Sequence, residues 1–226
     1  VFIESVAFAA EKVIAEAVDA RGIAHVVLTG GTIGVAVLTG IGRTNSTPID
    51  WSRVHFWWGD ERFVSASSDE RNCKQAREAL LARLDISEAN IHEMPSSDSG
   101  FTLDESAGLY SAELAAFAGD DAFLAFDLTF LGIGPDAHVA SLFPDHPDAL
   151  KDGAVLSIRN SPKPPPERIS LSFESVNASK LVWIVAFGQD KALAVRDTLA
   201  VIDNRSVPSS CVHGVQGTTI WADVAA

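Results

Sequence analysis

The 226-residue chain predicts an α/β fold: a mostly parallel central sheet with helices on both faces in a Rossmann-like arrangement. Three observations carry that expectation. Short apolar runs such as His25-Val-Val-Leu28 and Lys180-Leu-Val-Trp-Ile-Val-Ala-Phe187 are nearly continuous in hydrophobicity, as strands buried on both faces are. Between such runs lie amphipathic stretches whose apolar residues recur at helical spacing. Glycine-rich or charged loops follow the strands, so strand, polar loop and helix alternate along the chain. That alternation gives right-handed crossovers and polar loops gathered along one edge of the sheet.

Taken in order, residues 4–20 place Val6, Ala10, Val13, Ile14, Ala17 and Val18 on one side of a helix and Glu4, Glu11, Lys12 and Glu16 on the other, with Gly22 to close it. A strand at His25–Leu28 runs into the turn Thr29-Gly-Gly-Thr32 and a helix over Ile33–Ile41, with Gly40 and Gly42 near its end. A second strand, Val54-His-Phe-Trp-Trp58, meets the charged Gly59-Asp-Glu-Arg62, and a polar stretch leads to a helix over about 69–84. Residues 103–118 repeat the amphipathic pattern, 126–131 read as a buried strand, and Gln189–Val201 read as a helix. The proline-rich Ser161-Pro-Lys-Pro-Pro-Pro-Glu-Arg168 suits a stiff arm presenting Lys163 and Arg168, or a linker.

At 226 residues with 47% hydrophobic content the chain can bury a large core, most simply as one domain spanning 1–226. Its net charge of −13, with only 17 Lys and Arg, argues against nucleic-acid or anionic-membrane partners. An anionic substrate therefore needs a locally basic pocket. Two cysteines, Cys73 and Cys211, are too few for a disulfide framework, which suggests reducing cytoplasm. No apolar stretch approaches the roughly 20 residues of a membrane span, and Val1-Phe-Ile-Glu lacks a basic signal-peptide start. Val1 in place of an initiator methionine suggests trimming or an incomplete sequence.

Four segments bring chemistry to the predicted loop edge. Gly30, Gly31 and Thr32 offer backbone N–H groups and a hydroxyl where a helix begins, an arrangement that favours a phosphate; a tight turn is the plain alternative. Asp60-Glu61-Arg62 reads as a solvated loop with internal ion pairs, or as a site where Arg62 makes bidentate phosphate contacts. Gly132 and Gly134 let the backbone turn tightly and approach a ligand while delivering Asp136 and His138 together. His138 has the acid–base range of a catalytic imidazole, and Asp136 either orients it or caps a helix suggested by Val139-Ala-Ser-Leu142. His25, His55, His92, His146 and His213 read as structural, and Trp57, Trp58 and Trp183 as core or interface. Asp136, His138, Asp145 and His146 lack an established metal-ligand spacing, so no metal is expected, and Ser141 lacks a nucleophile elbow.

The run Gly132-Ile-Gly-Pro-Asp-Ala-His-Val-Ala-Ser-Leu-Phe-Pro144 resembles the Gly-x-Gly-x-Asp-Gly-His-x-Ala-Ser-Leu-Phe-Pro signature of the 6-phosphogluconolactonases, departing from it at Ala137. The turn from Thr29 to Gly34 resembles that family's Ser-Gly-Gly-Ser-Thr-Pro loop, with threonines at both hydroxyl positions and departures at Ile33 and Gly34. Asp60-Glu-Arg-Phe-Val64 is similar to its Asp-Glu-Arg-x-Val motif, and Ser161-Pro-Lys-Pro-Pro-x-x-Arg-Ile169 to the segment that supplies a substrate-binding lysine and arginine. Val207-Pro-Ser-Ser210 fits more loosely.

The resemblance implies hydrolysis of 6-phospho-D-glucono-1,5-lactone in the oxidative pentose phosphate pathway, without cofactor, by a cytoplasmic monomer or weak homo-oligomer. The mechanism expected on that basis has His138 as general base, the phosphate on Gly30, Gly31, Thr32, Arg62 and Lys163, Arg168 as a further substrate-binding residue, and the oxyanion at the Gly132–Gly134 backbone N–H groups or a nearby cation. Two alternatives remain. Glucosamine-6-phosphate deaminases share the glycine–aspartate–histidine loop but continue toward Phe-Asn-Glu-Pro, where this chain has Ser141-Leu-Phe-Pro144 and so lacks the glutamate. A sugar-phosphate sensor needs a DNA-binding module, for which the first 25 residues are too short and too acidic.

Overall fold

The computed structural model describes residues 1–41, 43 and 48–226. α1 (Phe2–Arg21) buries Val6, Ala10, Ile14 and Ala17 and ends where Gly22, at φ 73°, takes the left-handed conformation that closes a helix. β1 (Ala24–Leu28) is buried at every position and leads through Thr29 and Gly30 into α2 (Gly31–Gly40). Gly42 lies outside the described residues. β2 (Val54–Trp58) then runs directly into a short strand, β3 (Asp60–Arg62). α3 (Asn72–Ala79) is shorter than the span the periodicity predicts, because Leu80 at φ −141° and ψ −61° breaks it and only a 3-10 turn, Leu81–Arg83, continues.

α4 (Leu103–Ala118) begins with a capping box in which the Thr102 hydroxyl accepts from the Glu105 N–H and the Glu105 carboxylate accepts from the Thr102 N–H. β4 (Leu128–Gly132) starts two residues later than the apolar run, since the Asp127 carboxylate accepts the His25 N–H and pairs with Lys180 and Arg21. β5 (Val155–Ile158), β6 (Arg168–Leu171), α5 (Phe173–Asn177) and β7 (Leu181–Ala186) follow. A 3-10 turn, Gln189–Lys191, opens α6 (Ala192–Ala200), and β8 (Gly217–Ala222) is the last strand.

The main sheet has the order β2-β1-β4-β7-β8, and all its neighbours are parallel. From β1 the chain steps to β2 on one side and then to β4 on the other. The loops after β1 and β4 therefore diverge, and a crevice opens at the carboxyl ends of these two strands. A second, three-stranded antiparallel sheet, β3-β6-β5, lies outside the alternating pattern and was not expected from the sequence. One apolar core joins residues from Val6 to Val212, with Trp57, Trp58 and Phe126 fully enclosed.

The solvated-loop reading of Asp60-Glu61-Arg62 is corrected here. Asp60 is 6% exposed and Glu61 only 1%. Burial is tolerated because the Glu61 carboxylate accepts the backbone N–H groups of Arg62, Asn72 and Cys73 at 2.7, 2.7 and 2.9 Å and faces the Arg71 guanidinium at 3.6 Å. The charged triplet is thus an internal brace that fixes the start of α3 beside β3.

Candidate active site

A cleft of about 490 Å³ occupies the crevice between the β1 and β4 loops. Gly30, Gly31 and Thr32, Arg62, Gly132 and Gly134, His138, Lys163 and Arg168 all line it. Four segments far apart in sequence thus converge on one volume, large enough for a small phosphorylated ligand. Asp136 is the expected site residue that does not line it; it stands behind His138.

At one end of the cleft α2 begins at Gly31 with Gly30 as its cap, and among the described residues no side-chain cap closes its start. Unpaired donors and the helix dipole favour an anion there. Gly31 needs its freedom, having φ +74°, and Gly30 needs to lack a side chain, since a Cβ would lie 1.7 Å from the Asn72 amide oxygen. The Thr29 hydroxyl accepts the Gly132 N–H at 3.2 Å, which ties the turn after β1 to the end of β4. Arg62 donates through Nη1 to the Glu70 carbonyl at 2.5 Å, while its Nε is buried without a protein partner.

At the other end the Gly132–Pro144 loop presents the imidazole. No helix forms over Val139–Leu142: Ala137 and Ala140 have φ of 60° and 49°, and Val139 instead bridges Ile133 and Leu142. The helix-cap role of Asp136 is therefore overturned, and its carboxylate holds the imidazole, with Oδ1 2.6 Å from His138 Nδ1. Gly134 must be glycine here, because a Cβ would stand 2.0 Å from His138 Nδ1 and 2.4 Å from Asp136 Oδ1. Phe143 lies 4.6 Å from the His138 ring, and the Ala137 carbonyl accepts the Ser209 N–H at 3.0 Å, so the Val207–Ser210 segment buttresses the loop.

Lys163 Nζ lies 3.1 Å from Asp136 Oδ1 and 3.2 Å from His138 Nδ1. An ammonium and an Nδ1–H cannot both donate to each other, so the consistent arrangement has both donating to Asp136 Oδ1. Burial opposes ionisation of Asp136, but hydrogen bonding and attraction from His138 and Lys163 outweigh it and hold the carboxyl well below the usual carboxylate range. An ionised Asp136 accepting Nδ1–H leaves the lone pair on Nε2, the form a general base needs.

The proline-rich segment is an arm and not a loose linker. The Arg168 guanidinium donates to the carbonyls of Lys163, Pro164 and Pro165 at 3.2, 2.9 and 3.2 Å, and its Nη1 lies 3.9 Å from Asp60 Oδ2. Ser141, fully buried, donates its hydroxyl to the same Asp60 oxygen at 2.6 Å and is no nucleophile. Asn72, Asp190 and Lys191 are polar cleft residues that the sequence reading did not single out, and Lys191 Nζ lies 2.9 Å from Asp190 Oδ2. The signal for Lys191 was present, since Gly188, at φ 93°, follows β7 as Gly30 follows β1. Asn72 had no comparable signal.

Comparison with known proteins agrees with this geometry. The family model described as glucosamine-6-phosphate isomerases/6-phosphogluconolactonase matches residues 1–221. The chain is 41% identical to a 6-phosphogluconolactonase of Streptomyces coelicolor, over 94% of this chain and 85% of that protein. It is 44% identical to the Mycobacterium tuberculosis 6-phosphogluconolactonase, over 92% and 85%. The solved 6-phosphogluconolactonase of Thermotoga maritima superposes with a TM-score of 0.85 at 28% identity, covering 98% of this chain and 94% of that one. A monomeric glucosamine-6-phosphate deaminase shares the fold, with a TM-score of 0.79 at 15% identity over 99% of this chain and 95% of its own.

Proposed function

The chain belongs to the glucosamine-6-phosphate isomerase/6-phosphogluconolactonase family, and from that membership and the cleft we propose that it hydrolyses 6-phospho-D-glucono-1,5-lactone to 6-phosphogluconate with His138 as general base. The observation that carries the catalytic assignment is His138 on the wall of the cleft, held at 2.6 Å by Asp136 behind it, with a helix start at the cleft's far end. The phosphate sits on the N–H groups of Gly30, Gly31 and Thr32 and on Arg62, with Lys191 as a further cation at the rim. Anchoring through this remote group fixes the lactone carbonyl near the imidazole.

His138 Nε2 takes a proton from a water attacking C1, and Asp136 stabilises the imidazolium that forms. The oxyanion meets the Lys163 ammonium, because the Gly132 and Gly134 N–H groups expected to receive it already donate to the Thr29 hydroxyl and the His138 carbonyl. The imidazolium then protonates the departing ring oxygen. A lactone ester is already activated, so roughly 10²–10⁴-fold from acid–base catalysis, together with positioning, suffices.

The test is hydrolysis of freshly generated lactone against its spontaneous background, with EDTA present. Acceleration that survives EDTA, falls by about 10²–10⁴ in kcat for His138→Ala and shifts chiefly in KM for Arg62→Ala is the expected result. Wild-type turnover in His138→Ala would remove the general-base assignment. Ammonia release from glucosamine 6-phosphate would favour the deaminase alternative.

A further inference from the structure

Asp60 presents a puzzle in a cleft that has to receive an anion. Its carboxylate lines the cleft and is 6% exposed, so it adds negative charge where the ligand is negative. Its partners explain why it is there. Oδ2 accepts the Ser141 hydroxyl at 2.6 Å and faces Arg168 Nη1 at 3.9 Å. The Asn72 amide Nδ2 donates to the Asp60 carbonyl at 2.8 Å and lies 3.4 Å from Oδ1. Each partner belongs to a different part of the site. Ser141 lies in the loop that carries His138, and its N–H donates to Ser170 Oγ across the second sheet at 3.3 Å. Asn72 packs its amide oxygen, buried and unpartnered, against Gly30 of the anion turn. Arg168 holds the carbonyls of the arm that bears Lys163.

We propose that Asp60 is a positioning residue for the reaction, its backbone carbonyl and carboxylate together holding the His138 loop, the glycine turn and the Lys163 arm in one register. Only a carboxylate can accept from Ser141 and face Arg168 through one oxygen while the other oxygen stays an acceptor toward Asn72; an asparagine would turn an NH₂ toward one of these donors. The role rests on the proposed lactonase reading, because it sets the distance between the phosphate anchor and the base. It also makes a signature that general destabilisation does not. Loosening the Ser141 branch moves the imidazole and lowers kcat, whereas loosening the Asn72 branch moves the glycine turn and raises KM.

The experiment measures kcat, KM and the urea midpoint for wild type, Ser141→Ala, Asn72→Ala, Asp60→Asn and the Asp60→Asn/Ser141→Ala pair. A displacement of about 1 Å costs on the order of 10²-fold, so the sub-ångström shift from deleting one hydroxyl lowers kcat about 10-fold in Ser141→Ala, with KM within about 3-fold. Asn72→Ala shows the opposite split. Adding Ser141→Ala to Asp60→Asn lowers kcat by less than the product of the two single losses, since both changes act through the same Ser141–Asp60 bond. Should Asp60→Asn fail to fold, the opposite splits of the two single-branch variants decide alone. Wild-type kcat in Ser141→Ala, both variants moving the same parameter, or losses that multiply in the pair overturn the proposal. A wild-type protein that does not accelerate lactone hydrolysis fails the lactonase reading itself and is thereby told apart.

Discussion

Gly134→Ala isolates the geometry of the base from its chemistry, because no ionisable group is touched. The added methyl would lie 2.0 Å from His138 Nδ1, 2.1 Å from its Cε1 and 2.4 Å from Asp136 Oδ1. Recovering an ordinary contact of 3.4 Å from the shortest of these needs a displacement of about 1.4 Å. The Gly134 N–H donates to the His138 carbonyl and the Gly134 carbonyl accepts from Ala137, so the backbone of this tight loop cannot yield freely. The imidazole and the Asp136 carboxylate must therefore shift away from their positions at the cleft.

A misplacement of about 1 Å costs on the order of 10²-fold, so kcat should fall by about 10²-fold or more, equivalent to roughly 2.7 kcal/mol in the barrier. The glycine turn and Arg62 are untouched at the other end of the cleft, so KM should stay within about 3-fold. Steady-state hydrolysis of the lactone, corrected for its spontaneous reaction, reads both parameters, and circular dichroism checks that the variant is folded. A folded Gly134→Ala enzyme with wild-type kcat would refute the placement of the Asp136–His138 pair at the chemical step.

Three further outcomes follow from other parts of the molecule. Ala137, at φ 60° and buried, occupies a position that a β-branched residue cannot share without strain, so Ala137→Val should lower the unfolding free energy by more than about 2 kcal/mol while Ala137→Gly stays within about 1 kcal/mol; equal urea midpoints for the two would refute this. Burial, and then the neighbouring His55, lower the pKa of His25 to about 4. Because the folded value lies below the unfolded one near 6.5, the contribution is complete above pH 6.5 and is lost as pH falls from there to about 4. Stability should drop by up to about 3 kcal/mol across that window, and His25→Gln, which keeps an acceptor for Trp57 Nε1, should flatten the slope in urea titrations at pH 7 and 5. Glu61→Ala strands three backbone donors and the Arg71 guanidinium, so it should cost about 3–5 kcal/mol, and a loss under 1 kcal/mol in the same assay would show that the brace is dispensable.

The parts of the molecule legible in the sequence are those whose signal is local. α4 was readable from its amphipathic spacing over 103–118, and β2 because four apolar residues and His55 run up to Gly59. The candidate site was legible where glycines mark a backbone that must turn or be approached closely, as at Gly30, Gly31 and Gly134. What escaped is the part whose residue types carry meaning only across distance. Asp60 and Glu61 look solvated along the chain, yet they are buried, because their partners Asn72, Arg71, Ser141 and Arg168 arrive from three other segments. The second sheet was missed for the same reason, since β3 is three charged residues that pair with β6 more than a hundred positions away. The buried carboxylates of this short strand are tolerated because partners satisfy them, and a sequence pattern has no way of counting such partners. On the proposed reading, the same long-range pairing places the imidazole opposite the phosphate anchor. The least legible stretch of the chain is therefore also the one on which catalytic spacing depends, and substitutions around Asp60 should disturb turnover more than their solvated-looking sequence context suggests.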